Sequence, residues 1–283
     1  MIGEAGPEDQ PEIEALLLGR IGSAMFPMAN LRAHGLKVGG FASDHDHAAR
    51  FWRIGADSLV ALTRGGMVMA LLAKGCDLSG LRAALVGVTV TGAIGPTASI
   101  RPALTELGLC DRPTLRNDDE PGFTLDLAAL RLPDLPGTAL VPASRAPRPQ
   151  LIDWRSAYHG EILGTPASES RIRAEADIAG YLARDSHRVL MRADRPVAFT
   201  GFNATLPEIV QIGGVYTPPE LRNKGFARQA VALHLAEARE RGATRAVLFA
   251  ASDAAARAYR AIGFQPAEPF TMFILASPTR IAA

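Results

Sequence analysis

Cysteine is scarce in this chain, aromatic side chains are few, and net charge is almost absent. The cysteines are Cys76 and Cys110, two in 283 residues. They form no Cys-x-x-Cys pair and have no metal-like spacing from histidine. That sets aside a disulfide framework and fits two free thiols in a reducing cytoplasm. A formal charge of +1 removes the broad field by which proteins capture nucleic acid or acidic membrane, though not a local basic patch. No apolar run approaches the ~20 residues of a bilayer span. The longest, residues 83–96, is rich in Val and Thr and reads as a buried strand. The N-terminal residues are acidic and lack an apolar stretch, so no secretory leader is expected. Asp44-His45-Asp46-His47 is the one dense His/Asp cluster. Its spacing puts both histidines on one face only in a strand, and no third ligand set is apparent, so it reads as a solvated loop and no metal is expected.

What is present is enough apolar sequence, 48%, for two cores in a chain of two-domain length. Pro133, Pro136, Pro142, Pro147 and Pro149 crowd together, and proline at that density reads as a connector. The boundary is therefore expected near Pro147, giving domains 1–147 and 148–283. In the first, helices are expected from Ile13 and from Pro27. Strands over 58–62 and 67–72 flank the turn Arg64-Gly65-Gly66. A strand over 86–94 breaks at Gly95-Pro96, and a helix over 99–107 follows. In the second, helices over 154–163 and 171–183 precede strands over 188–192, 197–203 and 208–216. A long helix over 224–241, a strand over 245–250, a helix capped by Ser252 or Asp253, and closing strands complete it. His234 in the long helix reads as a satisfied, partly buried histidine, and Arg239, Glu240 and Arg241 as a wet helix end.

The chemistry concentrates between Gln211 and Phe264. Paired glycines, Gly213-Gly214, inside a strand signal a bulge or a close backbone approach. Arg222-Asn223-Lys224-Gly225-Phe226-Ala227 then opens a helix. Unpaired N–H groups at a helix start, with the positive end of its dipole, hold a diphosphate if no side chain blocks it. Gly225 and Ala227 remove bulk there, and Arg222, Lys224 and Arg228 add charge.

This stretch resembles the GNAT acetyltransferases. Arg222, Gly225 and Ala227 match their Arg/Gln-x-x-Gly-x-Gly/Ala loop. Val215 to Leu221 precede it like the family's strand and turn. Ala255, Tyr259, Gly263 and Phe264 then match Ala-x-x-x-Tyr-x-x-x-Gly-Phe, with Ser252 where the family usually has Asn. The resemblance implies an α+β chain: a C-terminal GNAT fold with a mixed, mostly antiparallel sheet flanked by helices, joined to an N-terminal α/β domain. The coarse element order of the N-terminal half suggests a degenerate GNAT-like repeat, which lacks the Arg-x-x-Gly-x-Ala pattern. It also implies acetyl-CoA as cosubstrate, without a metal. Val215, Tyr216 and Thr217 would pair with the pantetheine arm, and a backbone N–H near Gly214 or Val215 would polarise the thioester. Arg222, Asn223, Lys224, Gly225, Phe226, Ala227 and Arg228 would surround the pyrophosphate. Ser252, shorter in reach than Asn, would contact the arm. Tyr259 would protonate the leaving thiolate, and Glu208 is the candidate base. Tyr158 and Glu161 are candidates for the acceptor mouth. The implied activity is cytoplasmic N-acetyl transfer to a primary amine, on a small molecule rather than on a nucleic acid or membrane, with oligomerisation open. A CoA-binding sensor or scaffold without turnover is the alternative.

Overall fold

The computed structural model describes residues 2–282. In chain order the first elements are β1 (Ile2–Glu4), α1 (Gln10–Gly19), α2 (Ile21–His34), β2 (Ala49–Ile54), β3 (Ser58–Thr63) and β4 (Met67–Leu71). The one-turn helix α3 (Leu81–Ala84), β5 (Thr89–Pro96), α4 (Thr97–Glu106) and β6 (Thr114–Asp126) follow. Then come β7 (Thr138–Pro142), α5 (Arg148–Glu161), α6 (Ala167–Arg184), β8 (His187–Arg192), β9 (Arg195–Thr205) and β10 (Ile209–Tyr216). The last are α7 (Phe226–Glu240), β11 (Arg245–Phe249), α8 (Asp253–Ala261) and β12 (Gln265–Arg280). The chain divides into two compact units, Met1–Glu120 with Glu268–Ala283, and Pro121–Ala267.

In the first unit β1 to β4 pair antiparallel in sequence order, β5 adds parallel to β4, and β12 adds antiparallel to β5. One core joins Val60, Val68 and Val90 of the strands to Leu81, Ile100 and Leu104 of the helices and to Phe273 and Leu275 of β12. Helices α1 and α2 bury Ile13, Leu17, Met25, Met28 and Leu31. Pro27, expected to open a helix, lies inside α2 instead. It forfeits one backbone hydrogen bond, but the helix buries one apolar face and that burial outweighs the loss.

The second unit repeats the plan. Strand β7 and helices α5 and α6 precede the antiparallel meander β8-β9-β10, helix α7 leads to β11 parallel to β10, and α8 follows. The second half of β6 pairs antiparallel with β11. One face of the sheet packs Phe123, Val210, Ile212 and Leu248 on Val231 and Leu235 of α7 and Ile262 after α8. The other packs Val189, Phe199 and Tyr216 on Leu151 and Trp154 of α5 and Ile178 and Tyr181 of α6.

The proline-rich stretch is not simply a connector. It contains β7, an edge strand paired with β8 along its whole length, and Pro147 is the N-cap of α5. Proline is tolerated there because an edge strand has one unpaired side. The compact units divide at 120/121 and 267/268.

Candidate active site

Strands β10 and β11 pair in parallel only over Ile209–Gln211 and Arg245–Val247. Beyond Gln211 they part. On its other side β10 bulges: Gly213 faces Gly201 and Tyr216 faces Phe199, so β10 spends one residue more than β9. Gly214 sits in that bulge with φ 64, a left-handed conformation that glycine adopts without strain. The bulge turns the backbone of Gly214 and Val215 away from regular pairing at the mouth of the wedge.

Helix α7 starts at the same wedge. Gly225 is its N-cap at φ 80, and Asn223 is also left-handed at φ 62. The chain thus turns sharply before the helix and leaves its first N–H groups without side-chain caps. A cavity of about 580 Å³ opens there. Its walls bring together most of the residues singled out in the sequence: Val215, Tyr216 and Thr217; Arg222, Asn223, Gly225, Phe226, Ala227 and Arg228; Ser252 and Tyr259. Tyr158 and Glu161 of α5 complete the wall. Lys224 does not line it; its Nζ donates to the Glu220 carbonyl at 3.0 Å. Glu208 does not line it either; it precedes β10, and its backbone carbonyl accepts from Thr244 and Arg245.

The cavity is predominantly basic at one end. Arg222 donates from Nη2 to Glu161 Oε2 at 2.6 Å and from Nε to the Thr217 carbonyl at 2.9 Å. The Tyr216 hydroxyl donates to the other Glu161 oxygen at 3.2 Å. Burial first, then the Glu161 charge, raises the Tyr216 pKa, and the hydrogen bond to Glu161 keeps Arg222 charged. Two polar atoms, Arg228 Nε and Thr217 Oγ1, are buried without a partner. Buried polar groups are normally satisfied. Two orphans in the wall of one cavity, beside an uncapped helix start, suit an anionic, hydrogen-bonding ligand such as the diphosphate of CoA.

Ser252 N-caps α8, accepting from Ala255 N–H at 3.2 Å. That cap fixes the first turn of the helix that carries Tyr259. The Tyr259 side chain is largely buried between α8 and the sheet, edge-on to Phe264 at 6.0 Å, and reaches the cavity wall. Several polar residues near the wedge gave no signal in the sequence. Gln211 is buried on β10 with Oε1 unpartnered, and His187 is buried on β8 with Nε2 unpartnered. His234, expected to be satisfied, is 1% exposed, stacks on Phe202 at 3.8 Å, and has neither ring nitrogen paired. Strand and helix periodicity marks such positions as interior and says nothing of what their polar atoms meet.

In the first unit the helix corresponding to α7 is α3, which is a single turn. His34, at the end of α2, stacks on His45 at 4.8 Å, and His47 meets His45 edge-on at 5.1 Å; among the described residues no group of histidine, cysteine or acidic side chains is arranged to hold a metal ion. No described helix is long and apolar enough to cross a membrane.

Residues 148–264 match the family model described as the acetyltransferase (GNAT) family. Comparison with the curated proteins found no match. Among solved structures, a Drosophila protein is 13% identical, with 97% of this chain and 98% of that one aligned at a TM-score of 0.61. A tandem GNAT protein from the clavulanic acid biosynthesis pathway is 15% identical over 100% of this chain and 99% of that one, TM-score 0.54. A GCN5-related N-acetyltransferase from Sphaerobacter thermophilus is 14% identical over 100% and 96%, TM-score 0.55. At these identities the likeness is one of fold. Residues 148–264 thus form a domain that matches the GNAT acetyltransferase family model, and the two-unit fold of the chain is like that of a tandem GNAT protein.

Proposed function

We propose that the second unit transfers an acetyl group from acetyl-CoA to a primary amine of a small molecule, by direct attack with both substrates bound. The observation that carries this reading is the wedge between β10 and β11, opening onto the uncapped start of α7 and walled by Arg228 and Thr217, whose Nε and Oγ1 atoms lack protein partners. Acetyl-CoA supplies the activated acyl group and a thiolate as leaving group. The chain's own residues bind and orient it. The N–H groups at Gly225 to Ala227 and the Arg222 and Arg228 guanidinium groups hold the diphosphate. The free backbone of Val215 to Thr217 pairs with the pantetheine arm as a strand would. An N–H at the Gly214 bulge donates to the thioester carbonyl, where charge builds during attack. Tyr259 gives its proton to the departing sulfur, and the proton that the attacking amine loses passes to solvent, from which Tyr259 is reprotonated. Glu208, away from the cavity, is assigned no proton transfer.

The turnover test is thiol release from acetyl-CoA with a panel of primary amines. With an accepted amine, Tyr259→Phe should lower kcat about 10²- to 10⁴-fold, the range of a lost general acid, while acetyl-CoA affinity stays within about twofold. Equal kcat in the variant would remove Tyr259 from the reaction. Tight CoA binding with no thiol released by any amine would favour a sensor or scaffold, for which the orphan atoms would serve binding alone.

A further inference from the structure

On the α5–α6 side of the Gly214 bulge lies a second set of polar atoms that the acetyltransferase reading does not use. Arg155 of α5 lies against two rings, its guanidinium carbon 4.6 Å from the Tyr158 centroid and 5.4 Å from that of Tyr181. Its Nε edge is taken by Asp177 Oδ2 at 2.6 Å, an oxygen shared with His159 Nε2 at 2.8 Å. Two ring contacts and one carboxylate at the Nε edge therefore hold the guanidinium. The remaining edge, Nη1 and Nη2, has no hydrogen-bond partner among the described residues, although the side chain is only 11% exposed.

His187 points to the same place. It is fully buried at 0% exposure, stacked on Tyr181 with centroids 3.6 Å apart and lying across Gly201, where any side chain would run into the ring. The Ser186 hydroxyl meets Nδ1 at 2.9 Å, and Nε2 has no partner. With the hydroxyl donating to Nδ1, the ring carries its proton on Nε2. A methyl group placed on Gly214 would lie 3.5 Å from His187 Nε2 and 3.6 Å from Arg155 Nη1. Two sets of donors, one on an almost buried cation and one on a buried neutral ring, thus converge beside the residue whose bulge would hold the acyl carbonyl. A buried donor left unmet, as His187 Nε2 is, costs stability, and beside it the open edge of Arg155 supplies a positive charge; together they mark a ligand position.

We propose that Arg155 and His187 form a carboxylate subsite next to the acyl group. The inference rests on the acetyltransferase reading. An Arg edge open in the guanidinium plane accepts a planar anion bidentately. The neighbouring Arg184 and Arg188 keep the surroundings positive, with Asp177 offsetting part of that charge from the far edge of Arg155. The carboxylate belongs either to the acceptor, as in an amino acid attacked through its amine, or to the acyl chain, as in a dicarboxylic acyl-CoA. No bond is made or broken at this subsite; it selects and orients.

The two sources are separated by one assay of thiol release. In the first arm acetyl-CoA is offered with amine pairs that differ by a carboxylate: lysine with cadaverine, and β-alanine with ethylamine. In the second, succinyl-CoA and butyryl-CoA are compared with one amine. The carboxylate member should lead by tenfold or more in kcat/KM in one arm, and Arg155→Met should abolish that lead while Arg155→Lys keeps part of it. Calorimetry with acetyl-CoA should give the same affinity in the wild type and both variants. Equal rates within every pair in the wild type, or a preference for the neutral members, would overturn the subsite whatever the variants do. Absence of any acetyl-CoA binding by the wild type would instead fell the acetyltransferase reading, and the subsite with it.

Discussion

Arg222 is the residue where sequence and structure say different things about the same side chain. The motif marks it for the diphosphate, and the geometry finds it tied to Glu161 at 2.6 Å at the cavity mouth. The two are compatible if Glu161 holds Arg222 until a stronger anion arrives, because Arg222 and Glu161 are 44% and 39% exposed and exposed pairs contribute only ~0.2–1 kcal/mol. Glu161→Gln should therefore tighten acetyl-CoA binding by about two- to threefold, as ~0.5 kcal/mol corresponds to that ratio. Weaker binding in that variant, measured by calorimetry, would show that the carboxylate helps the ligand. Arg222, Gly225, Ala227 and Tyr259 could be picked out in the sequence because each belongs to a local motif, and the fold brings them to one cavity. Arg155 and His187 could not, because their meaning comes from Gly214, distant in the chain and adjacent in space.

Among the elements, the alternating strands and punctuated helices of the second unit were the most readable, from α5 through α8. The edge strand β7 was hidden by the prolines in and around it, and the part of α2 before Pro27 by that proline. Burial of polar residues within readable elements has a measurable consequence. His187 on β8 is held to a pKa of about 3, mainly by burial and then by Arg155. His234 on α7 is likewise pushed well below its usual value by burial. Below the ordinary value of 6.5 the unfolded chain takes up these protons and the folded chain does not, so stability present above about pH 6.5 falls progressively as the pH drops towards 3. Urea midpoints should decline from pH 7 to pH 5, and less steeply in His234→Phe. A midpoint constant across that interval would contradict the buried, neutral state of both rings.

For the whole molecule, the two-unit organisation was legible, and the sharing of β6 and β12 between the units was not. A proline cluster is conspicuous in a sequence, whereas strands such as β6 and β12, whose residues are shared out between units, leave no compositional mark. The structure assigns the C-terminal strand to the first unit, where Phe273 is fully buried against the core that includes Ile100 and Leu104. Phe273→Ala should therefore cost about 3–5 kcal/mol, and hydrogen exchange should accelerate in β4 and β5, not in β10. Acceleration confined to residues 148–264 would support a division near Pro147 instead.

The central claim is that the start of α7 and the wedge beside β10 form the site for an acyl-CoA. Titrating acetyl-CoA into the wild-type protein and into Gly225→Glu, by calorimetry, tests it most directly. The variant places a carboxylate at a left-handed N-cap that faces the proposed diphosphate. Saturable binding in the wild type and none in the variant is the predicted result; no binding by the wild type, or equal binding by both, would contradict it.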